Sequence, residues 1–106
     1  MKTTRYDRRA KVLKAMAHPS RLAMLEALAG GEQCVCHLQR LVGSDMSTVS
    51  KHLAVMKAAG LVEDRKEGLW VHYRLRCPCV LQFMDCIEAV LEGGKIKAGR
   101  TSCSHS

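Results

Sequence analysis

The chain has 106 residues, with 17 Lys and Arg against 10 Asp and Glu and a net charge of +7. That length supports one domain with a modest core, and no apolar run approaches the roughly 18 residues that a membrane-spanning helix needs. The positive charge favours a polyanionic partner. The 6 cysteines, with no apolar leader after Met1, point to a cytoplasmic protein whose thiols are ligands or reactive groups rather than disulfides.

Residues 1–17 begin polar and become helical, with Val12, Leu13 and Met16 as an apolar patch. Lys2, Arg5, Arg8, Arg9, Lys11, Lys14 and Arg21 face one acid, Asp7, in the first 21 residues. That run reads either as a solvated helix face or as an attraction for phosphates. Pro19 suits the first position of a second helix, with His18 as its N-cap. Leu22, Leu25 and Leu28 are that helix's stripe, and Gly30-Gly31 end it. Cys34–Val42 is expected to be a short helix with apolar Val35, Leu38, Leu41 and Val42, stopped by Gly43.

Asp45–Leu61 is the stretch the rest serves. Asp45 is a good N-cap and Gly60 a good C-terminal stop. Val49, Leu53 and Met56 recur at i, i+4, i+7 as one buried stripe. Ser47, Thr48, Ser50, Lys51 and His52 are donors able to reach phosphates and base edges, and no acid follows Asp45 in the helix. A short helix with a dry stripe and an acid-free donor face suits the DNA major groove; a solvated surface face is the other reading. Residues 61–66 and 69–76 alternate polar and apolar around Glu67-Gly68, which predicts a β-hairpin carrying Arg65 and Lys66. Helix, tight turn, helix and hairpin make a winged helix-turn-helix.

Pro78 again suits a helix start. Val80, Met84, Ile87 and Leu91 form a stripe flanked by Phe83 and Val90, too wide for one domain to cover, so a second copy is expected against it. Residues 1–93 are read as the DNA-binding and dimerisation domain and 94–106 as a disordered basic tail. No paired-carboxylate, Ser/His/Asp or phosphate-loop constellation is present, which argues against an enzyme.

KAMAHPSRLAMLEAL (14–28), EQCVCHL (32–38), STVSKHLAVMKAAGLV (47–62) and EGLWVHYRL (67–75), in this order and spacing, resemble the ArsR/SmtB family of metal- and metalloid-sensing repressors. The resemblance runs from about Val12 to about Leu91. It implies a mainly α fold of about five helices with a two-stranded wing, a two-fold dimer built from the first and last helices, and operator DNA as the partner. It also implies that Cys34 and Cys36 are thiolate ligands for the inducer. Thiolates select soft ions, so As(III) or Sb(III), which take three sulfurs, lead the expectation, followed by Cd, Pb or Zn. Residues i and i+2 on an ideal helix point about 200° apart, so one ion on both sulfurs must distort the first turn.

The third Cys of arsenic-sensing members would fall at position 39, where this chain has Gln39. The arm cysteines of cadmium and lead sensors are missing from residues 1–33. Cys77, Cys79, Cys86 and Cys103 remain as candidates. Cys77 and Cys79, close together at an irregular helix start, are preferred, and Cys86 reads as packing. The Cys77-Pro78 pair also matches a haem-responsive dipeptide. The persulfide-sensing branch needs a thiol in the second helix, and Leu22–Leu28 has none. Two rival functions stand beside the metal-released repressor: a thiol redox sensor, and a zinc-stapled structural module.

Overall fold

A computed structural model describes residues 4–93. The expected tail at 94–106, with Cys103, lies outside the described residues. Five helices and three strands follow in the order α1 (Arg5–Met16), α2 (Pro19–Leu28), β1 (Gln33–Cys34), α3 (Val35–Val42), α4 (Met46–Ala58), β2 (Val62–Glu67), β3 (Trp70–Leu75) and α5 (Val80–Leu91). This is a winged helix-turn-helix.

Local chemistry sets the element ends. Thr4 and Asp7 form a capping box on α1, each side chain accepting from the other's backbone N–H, at 3.0 and 2.9 Å. His18 caps α2, its Nδ1 accepting from the Ser20 N–H at 3.0 Å, with Pro19 at the first helical position. Gly43 (φ 78°) turns the chain between α3 and α4. At the end of α4 the N–H of Leu61 donates to the Met56 carbonyl and that of Gly60 to Lys57, with Gly60 at φ 85°. Those two bonds are a Schellman closure, which only glycine enters without strain.

The core is Met24, Leu25 and Leu28 of α2, Leu38 of α3, Val49, Leu53 and Met56 of α4, and Val62 of β2, joined by Ala15, Met16, Leu61 and Val80. The expected stripes of α2 and α4 supply most of it; on α2, Met24 takes a buried place while Leu22 stays partly buried.

Three details differ from the sequence reading. The sheet has three strands, in the order β1-β3-β2. Gln33 pairs with Tyr73 and Cys34 with His72, both antiparallel, so the wing is joined to the segment ahead of α3. Two residues are too short to leave a period-2 signal. Cys34 is consequently extended (φ −78°, ψ 154°) and caps α3 instead of lying within it. The hairpin loop is Gly68-Leu69, one residue later than expected, with Glu67 paired to Trp70. Positive φ at Gly68 alone fits a turn with glycine in its first central position. Finally, Pro78 and Cys79 lie in a turn, and α5 starts at Val80.

Candidate nucleic-acid interface and thiol centre

The N-terminus of α4 is firmly set. The Asp45 carboxylate accepts the Thr48 N–H at 3.1 Å and the Ser47 hydroxyl at 3.3 Å, and the bonds from Thr48 hold its pKa below the usual carboxylate range. Ser47, Ser50 and Lys51 are exposed, and Thr48 is half-buried. Their i, i+3, i+4 spacing places 47, 50 and 51 on one face.

His52, also expected as a DNA contact, does not share that exposed face. It is 8% exposed. With Val49, Leu53 and Met56 it fills i, i+3, i+4, i+7, so the spacing itself assigned it to the buried stripe. Arg21 Nε donates to His52 Nδ1 at 3.0 Å, so the neutral ring carries its proton on Nε2. The His18 ring lies 4.3 Å from it, centroid to centroid. Burial, then the His18 and Arg21 charges, pushes the His52 pKa down. Arg21 also donates through Nη1 to the carbonyls of Lys14 and Ala15 at 3.4 and 3.3 Å. It thereby ties the end of α1 to the middle of α4, a role that its place in a basic run did not reveal.

On the wing the two predicted cations differ. The Arg65 guanidinium is bidentate on Glu32, at 2.9 and 2.7 Å, and reaches Glu67 at 3.1 Å. These carboxylates raise its pKa, and Arg65 lowers that of Glu32. Its fork is already occupied, clasping the wing to the segment before β1. Lys66 is exposed, and among the described residues no carboxylate pairs with it.

The thiols fall into two places. Cys34 and Cys36 are half-buried at the start of α3, and Cys34 Sγ accepts the His37 N–H at 3.4 Å. Cys77 and Cys79 are exposed ahead of α5, on the rim of an apolar cavity of about 510 Å3 lined also by Met16, Leu61, Val80 and Phe83. Among the described residues no three His, Cys, Asp or Glu side chains gather as a metal site. Among the described residues Cys77 and Cys79 are thus not gathered with Cys34 and Cys36 into a preformed group. The two thiols at α3 match the chemistry of a soft ion but make an incomplete set.

Comparison with known proteins decides the family. Residues 18–64 match the domain described as bacterial regulatory protein, arsR family. An uncharacterised HTH-type transcriptional regulator of Methanocaldococcus jannaschii is 40% identical over 70 residues, covering 65% of this chain and 79% of that protein. The solution structure of a homodimeric winged helix-turn-helix DNA-binding domain from Mycobacterium bovis, a possible ArsR-family regulator, superposes with a TM-score of 0.71 at 34% identity, covering 82% and 81% of the two chains. The chain belongs to the arsR family.

Membership makes it a transcriptional regulator and not an enzyme. The arsenical resistance operon repressor of Escherichia coli is 41% identical over 66 residues, which is 61% of this chain but only 56% of that repressor's length. No helix among the described residues is long and apolar enough to cross a membrane. Exposed Tyr6 and Leu13 on α1 and Phe83, Ile87, Val90 and Leu91 on α5 leave this arsR-family chain with apolar surface at both ends of its sequence.

Proposed function

We propose that this protein is a repressor that holds operator DNA as a two-fold dimer and lets go when a soft metal or metalloid binds Cys34 and Cys36. Ser47, Thr48, Ser50 and Lys51 of α4 read the major groove, and Lys66 of the wing meets phosphate. The operator is an imperfect palindrome whose half-sites lie about 10 bp apart or a multiple of that. The exposed apolar residues of α1 and α5 form the dimer contact, in keeping with the homodimeric relative from M. bovis.

The observation that carries the sensing half is the position of Cys34. One residue ends β1, pairs with His72 of β3 and caps α3, the first helix of the reading unit. A ligand that pulls Cys34 and Cys36 towards one ion acts on all three elements together. Where the ion takes three sulfurs, Cys77 or Cys79 is the candidate third ligand, drawn in from the same protomer or from a second copy. As(III) and Sb(III) are the leading inducers, with the E. coli arsenical repressor in support, and Cd, Pb and Zn follow. Coupling between such sites is typically about 1–3 kcal/mol, or roughly 5–150-fold in affinity.

The test is an operator titration with As(III), Sb(III), Cd(II), Pb(II) and Zn(II) under reducing conditions. Absorbance in the sulfur-to-metal charge-transfer region counts thiolates in each Cys→Ser variant. Cys34→Ser and Cys36→Ser should each keep DNA binding and lose the response. Full release of Cys34→Ser by the inducer refutes the sensory role. Release on oxidation alone assigns a redox sensor, and unfolding on chelation assigns a structural zinc module.

A further inference from the structure

The geometry points to a second nucleic-acid contact: a basic groove between α1 and the C-terminal end of α4 that takes the sugar-phosphate backbone beside the major groove. This rests on the DNA-binding reading above and adds a surface to it. The groove, about 510 Å3, is lined by Arg5, Arg8, Arg9 and Lys11 on one wall and by Ala58 and Ala59 on the other.

Three observations support it. First, the cations are uncompensated. Among the described residues no carboxylate makes an ion pair with any of the four, because Asp7, the one acid of α1, is turned back to cap Thr4. Unpaired cations converging on one concavity hold a field suited to phosphates. Second, the groove is built. The Arg5 and Arg9 guanidiniums lie 5.6 and 5.7 Å from the Tyr6 ring centroid, and the Thr4 box fixes the first turn beneath them. The opposite wall has only methyl side chains at Ala58 and Ala59, which leaves room for a bulky strand.

Third, length places the groove at the DNA. From Met46 to Ala58, α4 is 13 residues. That is about 20 Å of helix, whereas the major groove is about 12 Å wide. When the N-terminal residues of a reading helix meet the bases, its C-terminal end lies away from them, towards the edge of the groove where the backbone runs. Ala58, Ala59 and the cations beside them stand at that end.

The test uses the full chain and a random-sequence duplex, since a backbone contact needs no operator. The logarithm of the affinity is measured against the logarithm of salt concentration for wild type and for the triple variant Arg5→Gln, Arg8→Gln, Lys11→Gln. Every phosphate that the variant leaves unneutralised should flatten the slope by about 0.9, so a reduction of about 2–3 per protomer, or about 5 for the bound dimer, is expected. The matched variant Arg5→Lys, Arg8→Lys keeps the charge and should keep the wild-type slope, which separates charge from packing. Circular dichroism verifies that α1 survives in both.

A wild-type slope in the folded Gln variant overturns the groove while leaving the DNA reading standing. No duplex binding by wild type overturns both. If the Gln variant instead sediments as a monomer with its slope unchanged, the groove receives the acidic side of a second copy's α5 (Asp85, Glu88 and Glu92), and the nucleic-acid assignment falls.

Discussion

Replacing Arg21 by Ala should loosen the reading helix from the rest of the fold. The loss can be worked from its hydrogen bonds. The bond from Nε to His52 Nδ1 is 3.0 Å and reaches a buried ring, so its removal strands an acceptor, at about 1–3 kcal/mol. The bonds to the Lys14 and Ala15 carbonyls are longer, 3.4 and 3.3 Å, and add roughly 0.5 kcal/mol each at most. Arg21→Ala should therefore cost about 2–3 kcal/mol. For a domain of this size each kcal/mol lowers Tm by about 4–8 °C, so a fall of roughly 10–20 °C follows. Urea unfolding at fixed protein concentration, without DNA, measures it, and an unchanged m-value confirms that the unfolded state is the same. Arg21→Lys should recover little, because an ammonium cannot donate along both directions at once. A double-mutant cycle with His52→Ala should show coupling of about 1 kcal/mol or more. Arg21→Ala within about 0.5 kcal/mol of wild type, or strict additivity with His52→Ala, refutes the link.

Lys51→Ala should weaken duplex binding and flatten the salt slope by about 0.9 per protomer, or about 1.8 for the bound dimer, whereas an unchanged slope removes Lys51 from the interface. Ile87 is exposed and Met84 packs on the core. Sedimentation should accordingly show folded monomer for Ile87→Ala, and chemical unfolding should show a loss of about 2–5 kcal/mol for Met84→Ala. Dimeric Ile87→Ala means that α5 is not the contact. His52 titrates below its ordinary value of 6.5 in the folded protein, so the unfolded chain takes up the proton first. Its contribution is fully present above pH 6.5 and is lost as pH falls through the folded-state value. Wild type should lose more stability over that window than His52→Leu, and parallel pH profiles exclude the effect.

Elements with a long period or a strong stop were legible. The α4 stripe, the Asp45 cap, the Gly60 closure and the hairpin all announce themselves locally. What failed was anything set by a distant partner. β1 exists because β3 lies beside it, and two residues carry no pattern of their own. The burial of His52 was legible in its spacing, i+3 from Val49 and i−4 from Met56, but its polarity masked it. Arg65 looked available because Glu32, 33 residues earlier, is invisible as its partner until the chain folds. The thiols at Cys34 and Cys36 were legible as chemistry. Their separation from Cys77 and Cys79 is a matter of three-dimensional placement.

The strand order β1-β3-β2 gives the wing the mechanics of a cantilever. β3 is clamped on both edges only at His72 and Tyr73; from there to the tip at Gly68 it is held by β2 alone. At about 3.4 Å per residue the overhang is roughly 14 Å. Bending concentrates at the root of such a beam, and the root here is the pair Cys34–His72. Under the proposed function, a tip pressed by a duplex would strain the bond beside the Cys34 thiol, and a ligand on that thiol would stiffen or tilt the beam. The clamp carries force in both directions, so a bound duplex should resist the inducer by the same factor with which the inducer expels the duplex.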